Sequence, residues 1–329
     1  MCVGAQAGWS SSAVVTSTAS HRSSIWGRQG TPMDERDWLA ERFEEHRTHL
    51  RAVAYRMLGS LAEADEAVQD AWLRVSRAGA DGIENFRGWL TTIVARVCLN
   101  ALQARKARPE DSSGVHLPDP VIRRAGEINQ EHDVLLADSV GLALQIVLDT
   151  LSPAERMAFV LHDMFDVPFD EIGRMVGRSA TAARQLASRG RRRVHGASVP
   201  APDPDVARQR EVVDAFFAAA RRGDFDALVA VLDPNVVLRS DGGEKRRALS
   251  FVRRGASEVA RTALASAQPL AVLHPALVNG AAGVVAVING RPFAVMGFTV
   301  ARGKIVAIDC LLDPERLARL DLAVRADAS

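Results

Sequence analysis

Two proline-bearing polar stretches constrain this chain more than any other feature. Residues 109–130 contain Pro109, Pro118 and Pro120, and residues 198–206 read "SVPAPDPDV". Proline removes a backbone donor and drives the residue before it toward extended conformations, so neither stretch suits a helix interior or a central strand. Both read as linkers. They divide the 329 residues into pieces of ordinary domain size. The expected organisation is a helical unit over 33–108, a second over 131–197 and a third unit over 207–325. Residues 1–32 are a Ser/Ala/Thr/Gly mixture with weak periodicity and no signal-peptide pattern. They are expected to be disordered, or to precede a translation start at Met33.

The apolar period differs among the three units. In the first, Leu39, Phe43, Leu50, Val53, Ala54 and Met57 recur at helical spacing. Ser60 and Glu63 have the spacing of a capping box, and Ala64, Val68, Ala71, Trp72 and Val75 then line one face. After a loop at 79–82, Trp89, Leu90, Ile93, Val94, Val97 and Leu102 mark a third helix. The second unit begins with a helix over 133–148. Ser152, Pro153 and Glu155 then give a strong helix start. In the third unit, helices before Gly223 and around Leu228 give way after Pro234 to strand-like runs. Hairpin turns are expected at 280–283, 289–290 and 302–303. Helices followed by antiparallel strands predict an α+β domain. The fold class is thus multidomain: two all-α units, the second with a helix-turn-helix, then an α+β domain.

With 41 Lys and Arg against 40 Asp and Glu, the net charge is +1, so any nucleic-acid surface must be local. From Arg174 to Arg193 there are seven arginines and no acid. Ile172, Met175 and Val176 form a short apolar face, Gly177 supplies a left-handed turn, and Ser179 can cap a helix that turns Ala183 and Leu186 inward. That is a helix-turn-helix, whose second helix enters the DNA major groove. Arg178, Ser179, Thr181, Ala182, Arg184 and Gln185 are placed for base edges. Arg189 and Arg191 to Arg193 suit phosphates, with Ser188 on the same surface. The plain alternative is a solvated basic helix end, favoured by the helix dipole. It leaves the acid-free surface of both helices unexplained. Cys2, Cys98 and Cys310 form no C-x-x-C pair, which argues against a zinc site or disulfide framework and fits a reducing cytoplasm. No run reaches the ~18 apolar residues of a membrane helix. No cofactor or metal is expected.

Three motifs, in order, carry a resemblance. "ADEAVQDAWLRV" (64–75) is similar to the polymerase-binding helix of extracytoplasmic function (ECF) sigma factors. "NFRGWLTTIVARVCLNALQARKAR" (85–108) is similar to the helix they place on the promoter −10 element. The stretch from Leu148 to Val194 resembles their domain for the −35 element. The resemblance spans about Asp34 to Val194 and implies core RNA polymerase and promoter DNA as partners. Asp65, Glu66, Gln69, Asp70 and Arg74 would then face a coiled coil of the polymerase, although each alone reads as a solvated helix face. Arg87, Trp89, Arg96, Asn100, Arg105, Lys106 and Arg108 would meet −10 DNA. The loop 77–84 would hold a base out of the stack. Trp89, by its spacing, reads first as core.

The third unit resembles the SnoaL-like extension of some such factors, a cone-shaped α+β domain that tunes activity in place of a separate anti-sigma protein. Its marks are a Pro-rich linker, a D-G-G-G-K loop and a closing N-P-D-K-L. Here they read "VPAPDP", "DGGEK" (Asp241, Gly242, Gly243, Glu244, Lys245) and "DPERL" (313–317). Glu244 in place of Gly is expected to strain its loop or change its contacts. Gly190 is expected to weaken the recognition helix by about 1 kcal/mol relative to Ala. SnoaL-like folds also include isomerases and cyclases, which need a carboxylate base and an oxyanion donor, often Tyr. The one Tyr, Tyr55, lies in the first unit. Asp233, Asp241, Asp309, His274 and Arg239 are the candidates in the third, of which Asp241 and His274 read as structural. The sequence predicts a regulated sigma factor rather than an enzyme, with a cone able to take a small molecule. A DNA-binding regulator fused to a SnoaL-like enzyme or ligand sensor is the alternative.

Overall fold

The structure is a computed structural model that describes residues 35–78, 83–107, 115–123, 141–196, 202–266, 268 and 270–320. The 1–32 segment, the 79–82 loop, Arg108 and residues 133–140 of the helix expected over 133–148 lie outside the described residues. Helices α1 (Glu35–Leu58), α2 (Leu61–Ala78) and α3 (Phe86–Lys106) form the first unit. The helical spacing buries Leu50, Val53 and Met57 against Ala64, Val68, Val75, Leu90 and Val94. Trp72 and Trp89 are half-buried at the edge of this core, on Phe43 and Phe86 at 5.1 and 5.7 Å between ring centroids. Asn85 caps α3, its Oδ1 accepting from Gly88 N at 2.9 Å. The capping box expected at α2 does not close. Ser60 Oγ accepts a long bond from Glu63 N (3.4 Å), but the Glu63 carboxylate pairs with Arg105 at 3.0 Å.

The second unit comprises α4 (Gly141–Asp149), α5 (Pro153–Phe159), a π-helical turn at Val160–Met164, α6 (Phe169–Val176) and α7 (Ala180–Gly196). Ser152 and Glu155 form a complete capping box on α5. Gly177 ends α6 at φ 66°, and Ser179 Oγ caps α7 by accepting from Ala182 N at 3.2 Å. Gly190 also has a packing role. It is buried, and a Cβ there would stand 3.0 Å from Phe159 Cβ. Glycine lets α7 approach α5 closely, a gain set against the lost helix propensity.

The two helical units share one core. Gln145 and Arg156, both buried, reach the last turn of α1. Gln145 Nε2 donates to the Tyr55 and Arg56 carbonyls at 3.1 and 3.2 Å. Arg156 Nε and Nη2 donate to the Arg56 carbonyl at 3.2 and 3.1 Å, and its Nη1 pairs with Asp149. The last carbonyls of a helix have no donors within it. Here the second unit supplies them to Arg56 and adds one to Tyr55.

In the third unit, α8 (Val206–Arg222), α9 (Phe225–Val231) and α10 (Ala256–Ala265) cover one face of a seven-stranded sheet. Its strands are β1 (Ile122–Arg123), β2 (Leu232–Asp241), β3 (Phe251–Arg254), β4 (Val272–Val278), β5 (Ala281–Ile288), β6 (Arg291–Ala301) and β7 (Lys304–Leu311), in the order β1-β4-β5-β6-β7-β2-β3. Among the described strands β2 and β7 pair in parallel and the other neighbours antiparallel. Phe216, Phe217 and Phe298, edge to face, occupy the space between helices and sheet. Asn289-Gly290 and Arg302-Gly303 turn at positive φ, as expected. The first hairpin turns at Asn279-Gly280 rather than over 280–283, because Ala281 and Ala282 already pair within β5. Glu244 does not strain its loop. The positive φ of that turn falls on Gly243, at 62°.

The largest departure from expectation is the first connector. Its residues 117–122 are buried, and β1 pairs with β4 at Ile122↔Val278 and Arg123↔Leu277. The second sheet face, Val285, Val295 and Leu311, is covered by Ile122, by Leu317 and Leu320 from the region of α11 (Pro314–Arg319), and by Leu61 of α2. The second connector is fastened too. The Asp203 carboxylate accepts from Arg302 N and Gly303 N at 2.8 and 2.9 Å.

Candidate nucleic-acid interface

The exposed face of α7 and the turn before it carry Arg178, Ser179, Thr181, Arg184, Gln185, Ser188, Arg189 and Arg192, with Ala182 half-buried among them. Ser179 is engaged as the cap. The Arg184 guanidinium carbon lies 5.2 Å over the Phe169 ring. The stretch that is acid-free in sequence is not acid-free in space. Arg189 and Arg193 pair with the two oxygens of Glu155 at 3.0 and 2.8 Å, and Arg191 pairs with Asp163 at 2.8 Å. Arg189, expected on a phosphate, is therefore turned back onto α5. Arg192 has no partner among the described residues. Burial works to raise the Glu155 carboxyl. The bonds from Ser152 and Arg189, with Arg193 nearby, outweigh it and hold the group below its ordinary value.

On α3, Arg96 and Asn100 are exposed one turn apart, and Lys106 is exposed near the helix end. Arg105 instead donates to Glu63 and to the Leu58 carbonyl. Arg87 Nη2 donates to His49 Nδ1 at 3.0 Å. Burial, then the positive Arg87 and neighbouring His46, push the His49 imidazole down to about 4. On α2, Asp65, Glu66, Gln69, Asp70 and Arg74 are all exposed, and Asp65 pairs with Arg51 at 2.6 Å. Sequence reasoning missed Leu73, 44% exposed in the middle of that face. Its signal was present: Leu73 falls off the spacing of the buried stripe.

The "DGGEK" and "DPERL" segments meet across the first connector. Arg316 Nε and Nη2 donate to Asp119 Oδ1 at 2.7 and 2.5 Å, Nη2 also to the Leu117 carbonyl at 2.6 Å, and Nη1 to Asp241 Oδ2 at 2.8 Å. Asp241 Oδ2 also accepts from Leu117 N at 2.8 Å. Lys245 pairs with Glu315 at 2.9 Å. A Cβ on Gly243 would lie 2.3 Å from Asp313 Oδ2, so only glycine fits there. Asp119 Oδ2 in turn accepts from Leu61 N at 2.9 Å and caps α2, while the Asp119 carbonyl accepts from Tyr55 Oη at 2.6 Å. Asn279 Nδ2 donates to the same Tyr55 oxygen at 3.3 Å. Burial pushes the Tyr55 phenol up to about 12. Tyr55 thus sits at a junction of three segments rather than beside a carboxylate base.

Asp309 is buried on Arg239 at 2.9 Å, and burial raises its carboxyl despite that partner. Among the described residues no three His, Cys, Asp or Glu cluster to hold a metal, and no helix is long and apolar enough to cross a membrane. A cavity of about 560 Å³ lies between the start of α2, the connector and α11, bounded by Arg51, Asp65, His116, Val121, Arg319 and Leu320.

Residues 42–108 match the family Sigma-70 region 2, and residues 142–194 match Sigma-70, region 4. The probable ECF RNA polymerase sigma factor SigI of Mycobacterium tuberculosis is 35% identical over 289 residues, covering 87% of this chain and 97% of SigI. The ECF RNA polymerase sigma factor SigJ of the same organism is 36% identical over 296 residues, covering 86% of this chain and 94% of SigJ. The crystal structure of SigJ aligns with a TM-score of 0.69 at 35% identity, over 86% of this chain and 99% of that one. Likeness of this extent reaches through both helical units and the C-terminal sheet. The chain belongs to the ECF RNA polymerase sigma factors, which join core polymerase and promoter DNA to start transcription.

Proposed function

We propose that this sigma factor rests in a closed conformation restrained by its own C-terminal domain, and that promoter engagement requires the connector to be released. Helices α3 and α7 both pack against α5. At 8–10 Å per helix contact they lie roughly 20 Å apart. The −10 and −35 elements are separated by about 25 base pairs, roughly 85 Å of duplex. One closed body cannot serve both, so the helical units must part. The observation that carries the reading is Arg316, which ties Asp119 of the connector to Asp241 of the C-terminal domain.

In the open form, Arg178, Ser179, Thr181, Ala182, Arg184 and Gln185 read −35 base edges, and Ser188, Arg192 and a released Arg189 contact phosphates. Arg96, Asn100, Lys106 and Arg108 meet −10 DNA, with Arg87 and Trp89 beside them and Arg105 as a support. The α2 face from Asp65 to Arg74 docks on core polymerase through Leu73. The carboxylates that an enzymatic reading would need, Asp241 and Asp309, are already bound to arginines. A small-molecule partner of the C-terminal domain would enter the cavity beside the connector rather than the Phe-filled cone.

The test is initiation from a −35/−10 promoter by purified core polymerase with limiting sigma factor, comparing the full chain with Arg316→Ala. Breaking a largely buried ion pair costs a few kcal/mol and about 1.4 kcal/mol already makes a factor of ten, so the variant should raise initiation at least about tenfold. Equal or lower initiation by a variant with an unchanged thermal melt would overturn the restraint.

A further inference from the structure

His162, Phe169 and Arg184 come from three successive elements of the helix-turn-helix unit: the π-helical turn, the first residue of α6 and the exposed face of α7. The His162 and Phe169 rings stack at 3.7 Å between centroids, 32° between planes, with His162 Nδ1 3.1 Å from the Val167 carbonyl. The Arg184 guanidinium lies over the same Phe169 ring. Phe169 is half-buried against the helical core, so its ring is fixed from below. Arg174, Arg189, Arg191 and Arg193 are each turned toward a carboxylate. Arg184 instead rests on an aromatic face and has no acid partner among the described residues.

That difference matters chemically. A carboxylate occupies the edge N–H donors of a guanidinium, whereas a ring beneath its plane leaves them outward. Those donors are what a bidentate contact to guanine O6 and N7 uses. A long side chain fixed before binding also loses less rotamer freedom when it binds. The π-helical turn supplies the stacking partner: the extra residue in that turn shifts where His162 falls relative to α6.

We propose that Phe169, stacked by His162, is a positioning residue for the −35 contact: it presets Arg184 to read a base edge and so sets promoter selectivity without touching DNA. The proposal rests on the reading of Arg184 as a base contact. The experiment separates the two. Full-length chain and core polymerase transcribe a promoter library with randomised −35 positions, and the transcripts are sequenced. Arg184→Ala should flatten the preference at one −35 position. Phe169→Leu should weaken the preference at that position about two- to fivefold, the size of an exposed cation–π contact, and leave the other positions unchanged. Phe169→Tyr should restore it. Phe169→Leu combined with Arg184→Ala should match Arg184→Ala alone. His162→Gln leaves Phe169 in the core, decides the matter if Phe169→Leu folds poorly, and should weaken the same position. Full preference retained in Phe169→Leu and His162→Gln, or a uniform loss at every position, would overturn the positioning role while Arg184 keeps its own. No change in any preference from Arg184→Ala would overturn the base contact and the proposal together.

Discussion

Gly190 stands where α7 crosses α5, and its neighbour Phe159 leaves no room for a branched side chain. Gly190→Val should therefore lower stability by roughly 1–3 kcal/mol through overpacking, read as a fall in the thermal midpoint. His49 carries a second prediction, about pH. Its folded-state value of about 4 lies below the ordinary 6.5, so the unfolded chain takes up a proton the folded chain refuses. Its contribution is fully present above about pH 6.5 and is lost progressively as pH falls toward 4. Arg87, His46, Thr91 and Phe165 face the ring, and none offers a negative charge. His46, also held low by burial, adds the same sign. Because the imidazole is partly exposed, solvent screening reduces the loss to roughly 1–2 kcal/mol. Denaturant melts of His49→Gln between pH 7 and 4.5 should show a shallower slope than the parent. An unchanged slope would remove His49 as its source.

At the scale of elements, what was legible followed from local rules. The start of α5 needed only Ser152, Pro153 and Glu155, and the helix-turn-helix only an apolar stripe, Gly177 and Ser179. The exposed, arginine-bearing face of α7 was legible for the same reason: it needs particular residue types at helical spacing on one element. The connector was not, because what fixes it lies far away in the chain. Pro118 and Pro120 argue against regular structure, yet Leu117, Val121 and Ile122 find partners at the end of β2, in the turn after β4 and on β4. The π-helical turn left no sequence mark either. Asn279 tests how firmly the connector is held. Its N donates to the Val121 carbonyl, its Oδ1 accepts from Val121 N and its Nδ2 donates to Tyr55 Oη. Asn279→Ala leaves those buried groups short of partners, at about 1–3 kcal/mol. Limited proteolysis should then cut within 115–123 several-fold faster than in the parent, and equal rates would mean that the strand pairing alone holds the segment.

For the whole molecule, the shared core and the clamp pull in one direction. Gln145 and Arg156 join the helical units at the end of α1, and Arg316 holds the connector between them and the sheet. The "DGGEK" and "DPERL" signatures could be read from sequence, but not that they meet, since no local period links segments so far apart. Opening can be measured directly with dyes at Ala101→Cys and His195→Cys, both exposed and outside the proposed DNA contacts. Cys98 and Cys310 are buried, and burial pushes both thiols up to about 12, so they stay unlabelled; Cys2→Ser removes the remaining thiol. Energy transfer in the free chain should report roughly 20–30 Å, two helix contacts plus the dye linkers. With core polymerase and promoter DNA it should fall to the level of roughly 85 Å. Arg156→Ala removes the guanidinium donors to the Arg56 carbonyl, keeps those of Gln145, and should populate the long distance even in the free chain. If only Arg316→Ala does so, the clamp alone keeps the helical units together and their common core follows from it. If both variants stay short until polymerase is added, the polymerase itself, acting on the exposed face of α2, drives the opening.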